Sequence, residues 1–397
     1  MPRLASCTLP TVPGGPAGRG AGRGAARCGG AGTDAPSEAA AGYSRSAHLA
    51  YNHGMSQITL VLPFALPVPE FAPDLVRALQ APALAALLSR TSGHARVPAN
   101  DAIRALPHEQ WLAKALGIDG AGRPAFAAAA MRACGVEAQD GTWFIVHPIH
   151  IEIARTHLMM GDLRHLGLSE PDSRALFETA LPYFEEAGHA LVYGDAHTWF
   201  MRADDWAGLD TSTPEAALGM DLTDWMPAGS KAAAFRRLQN EVQILWHTHP
   251  VNAAREARRL PAVNAFWPWG AASAAGAAGT SINGARLAAF DTAAWLAQLA
   301  GTASSDLAGL TSAIDGDTIL VCGSAAPYAA AADWGGWIGV MTQLEAQLFA
   351  PILESLKNGR IREVKLVLSH RDALLEATTN AMAQRKFWRR NTLESLL

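Results

Sequence analysis

The sequence is 397 residues long and has no run of about 18 apolar residues, so no membrane-crossing helix is expected. Cysteine is scarce: Cys7, Cys28, Cys134 and Cys322 stand far apart, and no CxxC spacing occurs. That excludes a zinc ribbon or a dithiol redox pair, and reduced buried thiols in a cytoplasmic protein are the expectation. A basic excess is missing as well. Net charge is −4, and residues 1–54 carry five arginines against Asp34 and Glu38, which leaves about −7 on the remainder. A nucleic-acid surface needs the opposite balance, so no nucleic-acid partner is expected. The first residues are broken by Gly, Pro and Arg and do not read as a secretory signal. Neither GxxxxGK[ST] nor GxGxxG follows a strand-like run, and GxSxG is absent, which removes the common phosphate loops and the nucleophile elbow.

What is present begins abruptly. Residues 1–54 hold 11 of the 36 glycines and only Leu4, Leu9, Val12 and Leu49 among the large aliphatics and Phe. Such a segment cannot bury enough apolar surface to offset its ordering entropy, so disorder is expected there. Translation from Met55, with an upstream reading frame before it, is the accompanying expectation. Ile58 to Leu62 then reads as a buried strand stopped by Pro63. Helical spacing covers Asp74 to Leu88 with a break at Pro82, His108 to Leu116, and residues 125–133. Strands follow at 143–146 and 149–153, a helix from Ser169 to Gly188, and strands at 190–193 and 197–201. Ser230 is expected to cap a helix ending near His247, because His249 precedes Pro250.

Val263 to Trp269 alternates, placing Val263, Ala265, Trp267 and Trp269 on one face. Residues 270–284 are rich in Gly, Ala and Ser and read as a flexible loop. Strand 318–321, helix 337–357 and strand 364–368 form a crossover in a parallel or mixed sheet. The tail KFWRRNTLESLL is amphipathic and suited to docking or dimerisation. Together these predict an α/β fold, a mixed central sheet flanked by helices with an inserted α+β module. The expected divisions are 55–140 and 263–397 for the body and 141–262 for the module.

The densest polar group lies between Asn240 and Gly270. His247 and His249 invite a metal reading, but at a helix end two residues apart they point in different directions. No metal site is therefore expected there, and His147, His150 and His157 meet the same difficulty. Asn252, Arg255 and Asn264 sit between a helix and an apolar strand, where a ligand's phosphate or carboxylate could be held. Equally, the two asparagines can satisfy loop backbone and Arg255 can pair with Glu256 or Glu241. Asn240, Glu241, His249 and Gly270 complete the candidate ligand-binding set. Trp267 and Trp269 fit a core better than a stacking platform.

Residues Asn240-Glu241-Val242-Gln243, His249-Pro250-Val251-Asn252, Arg255-Glu256, Val263-Asn264, Trp267 and Trp269-Gly270 carry a family resemblance. With Leu60 to Pro67 and Pro148-Ile149-His150, this stretch resembles the RpfE-type regulatory protein family of proteobacteria, which implies no defined reaction. A more distant resemblance, through Met226-Pro227-Ala228-Gly229, His249 to Asn252, Arg255, Asn264 and Gly270, is to the archaeal-type cofactor-independent phosphoglycerate mutases. It implies an alkaline-phosphatase-like body, with Asn252, Arg255, Asn264 and Gly270 matching positions in the insert. Those enzymes need a Ser or Thr nucleophile and two metal ions held by Asp and His. Here Pro63 and Phe64 follow the first strand where a metal-binding Asp is implied. Ser369-His370-Arg371 replaces an Asp-His pair, leaving His370 as a remnant.

The expectation is therefore a regulatory or ligand-binding relative without catalysis or a cofactor, its ligand a small phosphorylated or carboxylate molecule. An active metal-dependent mutase or phosphotransferase is the alternative, requiring a divalent metal. A Trp-rich scaffold for a protein partner is the third reading.

Overall fold

The structure is a computed structural model and describes residues 56–100, 102–120, 122–154, 157–274, 285–301, 304, 306–314 and 316–397. The segment 1–54 and the loop at 275–284, both read above as disordered or flexible, lie outside the described residues. In chain order the strands are β1 Ser56–Leu62, β2 Gly93–Pro98, β3 Asp119–Gly120, β4 Arg123–Pro124, β5 Thr142–Ile149, β6 Ile151–Ala154 and β7 His157–Met160. They continue with β8 Ala190–Tyr193, β9 Trp199–Arg202, β10 Ala265–Ser273, β11 Arg286–Phe290, β12 Thr318–Cys322, β13 Ile361–Ser369 and β14 Ala373–Asn380.

A six-stranded sheet runs in the order β11-β12-β1-β13-β14-β2. Its first four strands are parallel and the last two pairings antiparallel, which makes it the mixed central sheet of an α/β fold. The period-two geometry of β1 splits its side chains between two cores. Ile58, Leu60 and Leu62 enter one, and Val61 enters the other. The first core is closed by the helices Ala72–Ala78 and Pro82–Ser89 and by the helical run from Trp334 to Lys357. Five residues of that run, Glu345–Phe349, are π-helical. From there the Glu345 carboxylate accepts hydrogen bonds from the Ala83 and Leu84 amides at 2.6 and 3.1 Å. Those are first-turn donors of the helix Pro82–Ser89, which has no other acceptor for them within the helix. The tail docks on its own body: Leu393 and Leu396 are buried in this core, whereas Phe387 and Trp388 remain exposed.

The second core lies between the central sheet and a four-stranded antiparallel sheet, β10-β5-β9-β8. Trp143, Ile145, Trp267 and Trp269 face inward here, with the helices Pro107–Ala115, Ala127–Ala133 and Ala294–Ala300. The opposite face of the same sheet, through Phe144, Val146 and Phe266, meets the helices Glu170–Glu186 and Ala232–His247 in a third core. Trp267 and Trp269 thus share a face as the alternation requires, and both are fully buried. Trp199, Trp206, Trp246 and Trp337 are fully buried too, whereas Trp388 is exposed.

Several expectations shift. The strand β10 pairs with β5 from Ala265 to Ser273, with an irregularity between Trp269 and Ala272, so residues 265–273 share a sheet with residues 142–149. Pro268 does not interrupt it, because β10 is an edge strand and the missing N–H is not needed by a neighbour. The loop expected from Gly270 is strand as far as Ser273. Ser230 is not the cap it was expected to be: Lys231 takes that position without a side-chain bond, and the helix starts at Ala232. No helix among the described residues is long and apolar enough to cross a membrane.

His147 lies in β5, its ring stacked at 5.9 Å on Trp269, and its Nδ1 donates to the His197 carbonyl at 2.7 Å. That fixes Nε2 as the unprotonated nitrogen, and Nε2 has no partner. Burial holds its pKa down at about 4, against the weaker upward pull of the His197 carbonyl and Asp195. Below pH 6.5 the unfolded chain accepts a proton that the folded one refuses, so stability falls as pH drops toward 4. Urea unfolding of the wild type should therefore lose about 2 kcal/mol more between pH 7.5 and 5 than His147→Gln loses. Equal losses in the two proteins would rule this out.

Candidate functional site

Open α/β sheets bind ligands beyond the carboxyl ends of their parallel strands, where the chain turns away and leaves a crevice. Here β1 leads into Pro63-Phe64, β11 into Asp291-Thr292, β12 into Gly323-Ser324 and β13 into His370-Arg371. Two of these turns are strained. Phe64 and Asp291 have φ of 58° and 52°, left-handed conformations that cost a side-chain-bearing residue roughly 1 kcal/mol or more. Gly323 is required where it stands: a Cβ there would lie 2.3 Å from the Asp291 carbonyl oxygen. The strand ends are thus packed against one another at the cost of local strain.

A cleft opens above them, about 510 Å³ including its mouth, walled by Phe64, Leu163, Leu218 and Ala326, with Arg164, Glu215 and Arg371 among its polar groups. A smaller neighbouring hollow reaches His108, Glu109, Asp291 and Thr292. His108 and Glu109 open the helix Pro107–Ala115, which starts here because Pro107 supplies a preset φ at the first helical position. Glu109 reaches back to accept from the Leu106 amide at 2.7 Å and also accepts from the Thr213 hydroxyl at 2.6 Å. Thr213 in turn caps the short helix Pro214–Ala217, accepting from the Ala216 amide at 3.3 Å. Glu215 of that helix places Oε2 3.4 Å from His108 Nε2, and His108 Nδ1 lies 3.1 Å from the Ser369 hydroxyl.

Two arginines brace the same segment. Arg371 donates to the Ala216 carbonyl at 2.8 Å and to the Leu218 carbonyl. Arg104 donates to the carbonyls of Asp210, Asp224 and Met226 at 3.2, 2.7 and 3.0 Å. Residues 210–226 therefore form a strap of the module bolted to the body beside the strand ends. Burial raises the Glu109 pKa to about 7, with the Glu215 carboxylate adding to the rise and His108, Thr213 and the Leu106 amide opposing it. Burial lowers that of Arg371, against the attraction of Asp372 and Glu109.

Ser369, His108 and Glu215 stand in the order of a hydroxyl-imidazole-carboxylate relay. The exposure runs the wrong way for acyl transfer, since Ser369 is 0% exposed while the Glu215 side chain is 31% exposed. A nucleophile needs an open face, and here the carboxylate has it. The arrangement can bind a ligand in the cleft. His108, Glu109 and Glu215 can also converge on a metal ion, each offering an atom within 4.8 Å of the others.

The residues singled out in the sequence lie elsewhere, in the module. Asn252 donates to the Trp246 and Val263 carbonyls and accepts from the Val263 amide, each at 2.8 Å. Arg255 is 0% exposed and donates to the carbonyls of Pro261 at 2.9 Å, Gly167 at 3.2 Å and Leu166. Asn264 clamps Ile151 through both its amide and its carbonyl, at 2.7 Å each. His249 caps the helix Pro250–Ala257 through Nδ1, and its Nε2 lies 3.2 Å from the Thr179 hydroxyl. Glu241 pairs with Arg237, and Asn240 is exposed. Gly270 takes φ 66° at an irregularity of β10 and lines a separate cavity with Arg104 and Asp210. The structure thus brings Asn252, Arg255 and Asn264 together as ties between backbone segments. His370 turns its Nδ1 to the Asp372 amide at 3.0 Å, and it is the preceding Ser369 that touches the cleft cluster.

Sequence reading missed His108, Glu109, Glu215 and Arg371. The one local signal was Glu109 in the first turn of a helix opened by Pro107, and this reads as capping alone. Its partners stand more than a hundred residues away.

The chain matches no protein-family model and no curated protein. Among solved structures it is similar to the cofactor-independent phosphoglycerate mutase from Thermoplasma acidophilum DSM 1728, at 14% identity over 86% of this chain and 94% of that one, with a TM-score of 0.42. It is also similar to the PH0037 protein from Pyrococcus horikoshii, at 11% identity over 86% of this chain and 92% of that one, with a TM-score of 0.50. At such identity the likeness is one of fold.

Arg255→Ala would remove a fully buried guanidinium that ties the carbonyls of Leu166, Gly167 and Pro261 together, and its loss should destabilise the protein by about 3 kcal/mol or more in urea unfolding. Arg258→Ala, on the surface of the same region, should cost under about 0.5 kcal/mol. Similar midpoints for the two variants would show that the buried guanidinium is not a structural tie.

Proposed function

We propose that the protein binds a small anionic molecule, a phosphate ester or carboxylate, in the cleft beyond the carboxyl ends of β1, β11, β12 and β13, and that it acts as a ligand-responsive regulator rather than a catalyst. The observation that carries this reading is Arg371. Its guanidinium lines the cleft, yet its hydrogen bonds go to the neutral carbonyls of Ala216 and Leu218, so no carboxylate cancels its charge by direct contact among the described residues. An anion suits that position, and Phe64, Leu163 and Leu218 offer apolar contact to the rest of the ligand. The strain at Phe64 and Asp291 supports a site held in a set geometry. Burial of the Ser369 hydroxyl and the Pro63-Phe64 turn after β1 favour binding over group transfer. The RpfE-type resemblance supports a regulatory role.

Metal-dependent phosphotransfer is the second reading, favoured by the convergence of His108, Glu109 and Glu215. Turnover of 3-phosphoglycerate with Mn²⁺, abolished by Glu215→Gln, would displace the binding-only reading.

A thermal-shift screen of phosphorylated three-carbon acids and nucleotides tests the cleft. At a hundredfold excess over Kd, a ligand should raise Tm by about 5 °C or more. Ala330→Trp, at the exposed rim, should cancel the shift while leaving the unliganded Tm within about 2 °C. The reading fails if no probe stabilises the wild type more than it stabilises this variant.

A further inference from the structure

We infer that His108, Glu109 and Glu215 form a binding site for one divalent transition-metal ion, of the zinc or manganese kind, between the helix Pro107–Ala115 and the strap of the module. The three side chains come from two segments more than a hundred residues apart, and one ligand atom from each lies within 4.8 Å of the other two. His108 and Glu109 are 4% and 3% exposed, and Glu215 stands at the open side. The contents of this hollow are poorly matched to one another. His108 Nε2 and Glu215 Oε2 lie 3.4 Å apart without a hydrogen bond between them. Both hydrogen bonds that Glu109 accepts from Leu106 and Thr213 go to Oε2, and Oε1 accepts none among the described residues. One imidazole nitrogen and two carboxylates thus converge on a shared space, which Arg164 also lines.

A cation in that space resolves the mismatch. One nitrogen and two oxygens with no thiolate suit zinc or manganese, and a fourth position toward the open side remains for water or ligand. The outer contacts are already in place. Ser369 lies 3.1 Å from His108 Nδ1, where it can take that N–H and turn the lone pair of Nε2 inward. Thr213 and the Leu106 amide hold the other oxygen of Glu109. Arg164 and Arg371 act on Glu215 and Glu109 through space and offset part of their charge, so the convergence of ligand atoms, rather than bulk negative potential, is what selects an ion here.

The site is tested on the full chain, stripped with chelator and titrated calorimetrically with Zn²⁺ or Mn²⁺ in the absence of any organic ligand. One ion per chain is expected. Glu215→Gln and His108→Gln should each weaken binding at least ~10-fold, the scale on which even outer contacts of a metal matter. His94→Gln, an exposed histidine on β2, should bind like the wild type. Absence of saturable binding, or equal affinity in the wild type and both cluster variants, overturns the inference. If circular dichroism shows that the substitutions unfold the chain, crystals of the wild type soaked with Zn²⁺ decide it. An anomalous peak between the three side chains upholds the site, and no peak there removes it. Ala330→Trp should leave ion binding unchanged, so failure of the metal site and failure of the anion cleft read out separately.

Discussion

Burial of the strand β5 on both faces is the constraint on which the rest of the architecture rests. Seven of its eight residues are buried, with Phe144 and Val146 turned to one core and Trp143 and Ile145 to the other. A strand in that position has no solvent face to absorb error, and a one-residue slip would exchange two cores at once. Its neighbours on each side, β9 and β10, are fixed by the same alternation. The antiparallel sheet therefore acts as a partition between the central sheet and the outer helices. The module cannot be understood as an appendage, because one face of its sheet closes the core of the body.

The cleft inherits its shape from this arrangement. The central sheet delivers the strained turns at Phe64 and Asp291, and the partition brings the strap 210–226 over them. Everything polar between the two is then asked to be both local and long-range. Glu109 serves its own helix through the Leu106 amide and the strap through Thr213, while Arg371 leaves β13 to hold the strap by its carbonyls. Burial of Glu109 beside Glu215 is unfavourable for two charges, and a carboxyl poised near neutrality is the physical result. Groups placed at this cost are better explained by what they hold than by the stability they add.

The fold was largely legible in the sequence, and the site was not. The largely apolar runs at 58–62, 318–321 and 364–368 read as strands of a covered sheet, and the helix between the last two requires a crossover. Pro107 marks a helix start by covalent geometry, which is local and therefore readable. Pro82 and Pro250, read as a helix break and a helix stop, each also open a helix, Pro82–Ser89 and Pro250–Ala257. Pro268 sits inside β10, since a strand tolerates proline at a sheet edge, and that is settled by pairing across the sheet. Arg255 and Asn252 were conspicuous as polar groups in an apolar setting, and the same property suits a backbone tie as well as a ligand contact. Sequence does not distinguish them, since the carbonyls they satisfy belong to every residue. His108 and Glu215 gain meaning only from a proximity created by the packing of the strap.

The strap has a consequence for how such a protein can change over time. Thr213, Glu215 and the carbonyls of Ala216, Leu218, Asp224 and Met226 are each held by a residue of the body: Glu109, His108, Arg371 or Arg104. Contacts to carbonyls do not depend on which side chain the strap carries, so its surface is free to vary while its path is kept. Contacts to Thr213 and Glu215 do depend on it. Drift in a lineage should therefore run freely at most strap positions, while 213 and 215 move only in company with 109 and 108. The segment would keep its course long after its sequence had ceased to be recognisable.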